Sequence, residues 1–135
     1  MKTIRIPQHI IAAIFEHAQD ELPNEACGLL TGSGDTALQQ HALTNIDHSP
    51  VHFALDPREQ FCVLKIARAD SRRILASYHS HPASPARPSD EDIRLALDPD
   101  IIYIIVSLMN PEPDIKAFSI VRGTVEEAKI EIIKS

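Results

Sequence analysis

The 135-residue chain is poor in cysteine, poor in glycine, short of positive charge and without a long apolar run, and each shortage removes a class of protein. Two cysteines, Cys27 and Cys62, are too few for a small secreted domain stapled by disulfides, so both are expected as reduced core thiols in a cytoplasmic protein. Four glycines beside ten prolines, with 44% hydrophobic and 24% charged residues, fit neither a fibrous nor a disordered chain. A formal net charge of -6 offers no field for phosphates, which argues against a nucleic-acid partner. The longest nearly apolar run, IIYIIVSLM, is far short of the ~20 residues that cross a bilayer, and MKTIRIPQHI holds no stretch of signal-peptide length; neither export nor membrane insertion is expected.

What is present is the pattern of one folded domain, expected over residues 1–135, since a chain of this length buries roughly two thirds of its unfolded surface. TIRI alternates like a short strand, and Pro7 opens a helix with Ile11, Ile14, Phe15 and Ala18 at helical spacing, closed by Pro23. ACGLLTG and TALQQHALT, separated by SGD, predict a hairpin. Asp56-Pro57-Arg58-Glu59 combines a cap, a first-turn proline and a reciprocal glutamate, predicting a helix to about Arg72 with Phe61, Leu64 and Ala67 among its apolar residues. Residues 45–55 have no legible pattern.

RILASYHSH predicts a strand with Leu75, Ser77, His79 and His81 on one face and Ile74, Ala76, Tyr78 and Ser80 on the other. A proline loop and a helix from Ser89 to about Leu97 follow it. IIYIIVSL reads as a central strand covered on both faces, and IKAFSIV, Arg122-Gly123 and TVEEAKIEII as a closing hairpin. The order predicts an α/β, or α+β-like, fold: a mixed sheet flanked by about three helices.

His79 and His81 are alternate residues at a strand end, placed so that two imidazoles can share one ion. Asp92 follows Ser89 by three residues, on the same side of a helix start. Each part also has an ordinary reading: Ser-x-x-Asp resembles a capping box, and His-x-His occurs as plain strand decoration. Together they suggest two histidines and a carboxylate around one cation with a position left open, as in catalytic zinc; the same ligand set also suits non-haem iron. His9, His17, His41, His48 and His52 read as surface or helix histidines without a partner at metal-ligand spacing.

His79-Ser80-His81-Pro82, then Ser89 and Asp92, resembles position by position the His-x-His, seven residues, Ser, two residues, Asp pattern of the JAMM (MPN-plus) metallopeptidases. EACGLLTG and HFALDPREQF resemble that family's segments leading into its first buried strand and its middle helix. The resemblance implies a cytidine-deaminase-like sheet with flanking helices and one zinc ion held by His79, His81 and Asp92. It further implies that Glu25 is the general base, which the residues alone do not distinguish from Glu21 or Asp20. Ser89 corresponds to the hydroxyl that steadies the oxyanion, beside its reading as a helix cap. Compact prokaryotic members resemble proteases for small ubiquitin-like sulfur carriers, which implies cleavage of a peptide or isopeptide bond after a Gly-Gly tail. The competing expectation is a protein-interaction scaffold whose zinc is structural or absent; an iron oxygenase fits the helices poorly.

Overall fold

A computed structural model describes residues 2–135. Seven strands and three helices follow one another as β1 (Thr3–Pro7), α1 (Gln8–Asp20), β2 (Cys27–Ser33), β3 (Thr36–Leu43), α2 (Pro57–Ala69), β4 (Arg73–His81), α3 (Asp90–Leu95), β5 (Ile102–Ser107), β6 (Asp114–Val121) and β7 (Thr124–Ile133). This is the mixed sheet with three helices that the pattern implies. The sheet also closes on itself in the order β1-β3-β2-β4-β5-β6-β7. Closure rests on β1, parallel to β7 from Thr3–Lys129 to Pro7–Ile133 and touching β3 at Arg5–Thr36. Among the described residues no helix is long and apolar enough to cross a membrane.

Local chemistry accounts for the boundaries. Arg122 and Gly123 both take positive φ, 51° and 80°, the mirror-image turn geometry that matches the twist of a two-residue hairpin. Asp56 caps α2 by accepting a hydrogen bond from the Arg58 N–H at 2.9 Å, with Pro57 at the first helical position. Glu59, however, does not return to the cap. Its carboxylate accepts from the Thr44 N–H at 2.8 Å and the Thr44 hydroxyl at 3.0 Å, satisfying a donor just beyond the end of β3 and tying α2 to that strand. The helix also turns Val63 and Ala67 inward and leaves Phe61 60% exposed.

Each helix covers its own apolar cluster. Ile10, Ile11, Ile14 and Ala18 of α1 pack on Ile4, Ile6, Leu30, Tyr78 and Ile104; Val63 of α2 packs on Leu29 and Leu43; Ile93 beside α3's end packs on Ala86, Ile105 and Ile120. Strand β5 is buried along almost its whole length between β4 and β6, as its apolar run predicts. Cys27 is a buried core thiol, pushed up to about 12 by burial, whereas Cys62 lies exposed on α2, contrary to its expected place in the core.

One register detail positions the site. Leu30 pairs with Ala76 but Thr31 with Ile74, so Leu75 is an extra residue in β4, a bulge against β2. The simple alternation expected from the sequence therefore fails below Ala76. Leu75 joins Ala76 and Tyr78 in the α1 cluster, and Ile74 packs on the α2 side with Leu29. Beyond the bulge the alternation holds: Ser77, His79 and His81 face the α2 and α3 side while Tyr78 is buried under α1.

Candidate metal centre

The end of β4 carries His79 and His81 into the space in front of α3. That helix begins at Ser89, whose hydroxyl accepts from the Asp92 N–H at 3.0 Å while the Ser89 N–H donates to Asp92 Oδ2 at 2.9 Å, a complete capping box. The box fixes the Asp92 side chain. It sets Oδ2 at 3.1 Å from His79 Nε2 and 3.0 Å from His81 Nε2, with the two nitrogens 3.2 Å apart. His81 Nδ1 lies 2.8 Å from the Pro85 carbonyl, a bond that keeps a proton on Nδ1 and aims Nε2 inward, where Nε2–H donates to Asp92 and, once deprotonated, presents its lone pair to a cation. His79 is held by Phe53, stacked on its ring at 4.4 Å between centroids and 19° between planes.

Three donors at these separations form a nearly equilateral triangle. A tetrahedral ion with bonds of about 2.0–2.1 Å spaces its ligand atoms about 3.3 Å apart, so the trio needs to open by only a few tenths of an ångström to fit a zinc-sized cation. The electrostatics agree. Burial pushes the Asp92 carboxyl up, but the hydrogen bonds from His79 and His81, helped by their charge and by the Ser89 N–H, outweigh it and hold the group well below the usual carboxylate range. Burial lowers His79; for His81 the Asp92 and Pro85 contacts overcome burial and raise it.

Glu25 reaches the same point from far away in sequence. It precedes β2, and the backbone of Ala26 is locked to Ser80: the Ala26 N–H donates to Ser80 Oγ at 2.8 Å and the Ser80 N–H donates to the Ala26 carbonyl at 3.0 Å. Ser80 lies between the two histidines, so this clamp sets Glu25 beside His81. Glu25 is only 4% exposed, and its Oε1 is the sole fully buried side-chain oxygen or nitrogen without a hydrogen-bond partner among the described residues. Burial, opposed by the His81 charge and aided by Asp92, pushes its carboxyl up from 4.5 to about 7. An orphaned carboxylate oxygen close to the His81 imidazole and the Asp92 carboxylate is what a site built for a cation and a water requires.

All five expected residues thus converge, with Ser89 shown as a cap. Three others went unread. Asn45, 4% exposed, donates to the carbonyls of Glu25 (3.0 Å) and His52 (2.9 Å) and accepts from the N–H groups of Asp47 (3.1 Å) and Ala54 (3.2 Å). It pins the irregular 45–55 segment to the Glu25 backbone, and its bond to Asp47 is the Asx turn that was the one local signal. Phe53 is delivered to His79 by that segment. His52 stands outside the ligand trio, as its spacing implies, but has a structural partner: its Nδ1 lies 2.7 Å from Glu91 Oε1, bridging the segment to the start of α3. His17 and His41 likewise have partners, Tyr78 at 2.6 Å and Thr31 at 2.9 Å, away from the metal ligands.

A groove of about 670 Å³ opens beside Phe53, floored by Leu29, Ile74 and Ser77 and bordered by Leu95 and Tyr103. Phe53, Leu95 and Tyr103 also line the small hollow next to His79 and Asp92, so groove and metal ligands are neighbours.

The model of the prokaryotic homologs of the JAB domain matches residues 7–121. The CysO-cysteine peptidase of Mycobacterium tuberculosis is 34% identical over 128 residues, covering 93% of this chain and 88% of that protein. The desampylase of Pyrococcus furiosus is 30% identical over 131 residues, covering 96% and 91%. The solution structure of a Desulfitobacterium hafniense protein superposes with a TM-score of 0.89 at 43% identity, covering 98% of this chain and 94% of that one. A family model over most of the sequence, with relatives alike along most of theirs, means that the chain belongs to the prokaryotic JAB-domain family, the compact prokaryotic JAMM proteins.

Proposed function

We propose that the protein is a cytoplasmic zinc-dependent peptidase that hydrolyses the peptide or isopeptide bond after the Gly-Gly tail of a small ubiquitin-like or sulfur-carrier protein. The observation that carries the reading is the buried, unpartnered oxygen of Glu25, a carboxyl that feels the charges of His81 and Asp92, two of the three clustered donors His79, His81 and Asp92. The names of its relatives, a CysO-cysteine peptidase and a desampylase, support the substrate class.

In this reading His79, His81 and Asp92 hold one zinc ion per chain. Bound there, zinc supplies Lewis acidity, polarising a scissile carbonyl and making water acidic enough to lose a proton near neutral pH. Glu25 accepts that proton on its carboxylate as the water oxygen bonds to the carbonyl carbon, then returns it to the amide nitrogen as the C–N bond breaks. Burial raises this carboxyl in the metal-free site, and a dication held beside it favours the anion, so Glu25 can take the proton as a base and release it to the leaving amine. Ser89 uses a lone pair for the Asp92 N–H and keeps its own O–H to donate to the carbonyl oxygen as negative charge develops. The groove beside Phe53 receives the extended tail, and glycines suit its approach to the buried ligands because they bring no side chain against the Phe53 ring.

Incubation with ubiquitin-like fusions ending in Gly-Gly, with and without a chelator, tests this. The expected result is cleavage after the second glycine that stops with chelator and returns with zinc. Cleavage indifferent to chelator, or none with zinc bound stoichiometrically, contradicts it.

A further inference from the structure

The groove carries a charge pattern that hydrolysis itself does not use. Its lining includes Arg68 of α2, Arg72 of the following turn and Arg73 at the start of β4, the end of that strand remote from the histidines. On a chain of net charge -6, three arginines against two aspartates, Asp98 and Asp100, leave this groove with a surplus of positive charge. Among the described residues none of the three forms an ion pair; Arg73 donates to the Gly34 carbonyl at 3.0 Å. Asp98 and Asp100 line the same groove, Asp98 Oδ1 accepting from the Asp100 N–H at 2.9 Å, and Asp100 shares a smaller neighbouring hollow with Arg73.

Apolar surface lies next to these cations. Leu95 and Leu97 border the same groove at 56% and 83% exposure, and exposed apolar side chains combined with arginines that form no ion pair have the composition of a protein-binding surface. Distance completes the pattern. Arg73 pairs with Gly32 and His79 with Cys27, so with the Leu75 bulge five ladder steps separate them, roughly 17 Å, which is the span of about five extended residues.

We propose that this arginine-lined part of the groove docks the folded body of the substrate, a small ubiquitin-like protein whose surface at the base of its Gly-Gly tail is acidic. A tail of about five extended residues then runs from the arginines to the metal ligands. This rests on the reading of the site as a Gly-Gly peptidase. Charge complementarity selects the occupant: a partner without carboxylates there covers three guanidiniums and strips their water with nothing in return. A basic or neutral ubiquitin-like protein with the same tail is correspondingly disfavoured.

The test compares the wild type with R68E/R72E, and with R68A/R72A should the charge reversal melt early. Two zinc-loaded reactions are followed: an acidic sulfur-carrier domain joined through Gly-Gly to a reporter peptide, and a reporter carrying only the last five tail residues. The expected result is at least a tenfold rise in the ratio of carrier KM to tail-peptide KM, with kcat for the carrier changed less than twofold, and a wild-type carrier KM that climbs with salt. An unchanged ratio, or a salt-independent KM, overturns the proposal. Binding of the labelled carrier to Glu25→Ala protein, with and without R68E/R72E, gives a readout that does not need turnover. Absent cleavage with arginine-dependent binding counts against the peptidase reading and leaves the docking surface standing; arginine-independent binding sinks the docking proposal. Arginine-dependent self-association in sedimentation, without carrier binding, shows that a second copy of this chain occupies the surface and likewise overturns it.

Discussion

Glu25 is the residue on which chemistry and stability meet. Its carboxyl is raised from 4.5 to about 7 by burial, so its contribution to folding is fully present below about 4.5 and is lost as pH rises through 7, where the fold must hold a desolvated anion. Glu25→Gln removes that ionisation. In chelator-treated protein the variant should gain on the wild type as pH goes from 5 to 8, by at most about 3 kcal/mol, in thermal melts taken across that range. A stability difference that stays flat with pH places the Glu25 ionisation elsewhere. The same substitution should remove hydrolysis, so one position is expected to be stabilising and inactivating at once.

Ser89 separates a structural from a chemical role at the same scale. As a cap it tolerates glycine, which costs only a few tenths of a kcal/mol, whereas the loss of an oxyanion donor costs about 10²–10³ in kcat. Ser89→Gly is therefore expected to keep its zinc and lose most of its turnover, measured as metal content and kcat on one preparation. Retained turnover limits Ser89 to holding α3 and Asp92.

At the scale of elements, the 45–55 segment and β4 decide where the residues meet. Asn45→Ala deletes four hydrogen bonds and strands the buried Glu25 carbonyl, and should cost about 2–4 kcal/mol in urea unfolding, with hydrolysis falling as Glu25 and Phe53 lose their anchor. A near-neutral Asn45→Ala would mean that the Ala26–Ser80 clamp alone positions Glu25. These elements were also the least legible in sequence. Strand and helix limits could be read because alternation, Asp56-Pro57 and Arg122-Gly123 are local signals. The ligands could be read because they fall within fourteen residues and each sits at an element's end. The Leu75 bulge could not, since it is decided by pairing with β2, and neither could the bonds from Asn45 to Glu25 and from His52 to Glu91, which span 20 and 39 residues. The glutamate three residues after Asp56 was misread for the same reason: Thr44, across the fold, competed for it successfully.

For the whole molecule, the barrel order brings distant parts of the chain to one point: β2 beside β4 carries Glu25 to the histidines, and β5 beside β4 supports the strand beneath them. A cation bridging β4 and α3 binds only the folded arrangement, so saturating zinc should raise the melting temperature of the wild type and leave His79→Ala unmoved. The central claim is that His79, His81 and Asp92 grip one cation in front of Glu25. The most direct measurement is zinc per chain by elemental analysis after reconstitution and dialysis, on wild type, Glu25→Ala and His81→Ala together. The account predicts one zinc in the first two and none in the third; a full equivalent in His81→Ala, or its loss in Glu25→Ala, would contradict it.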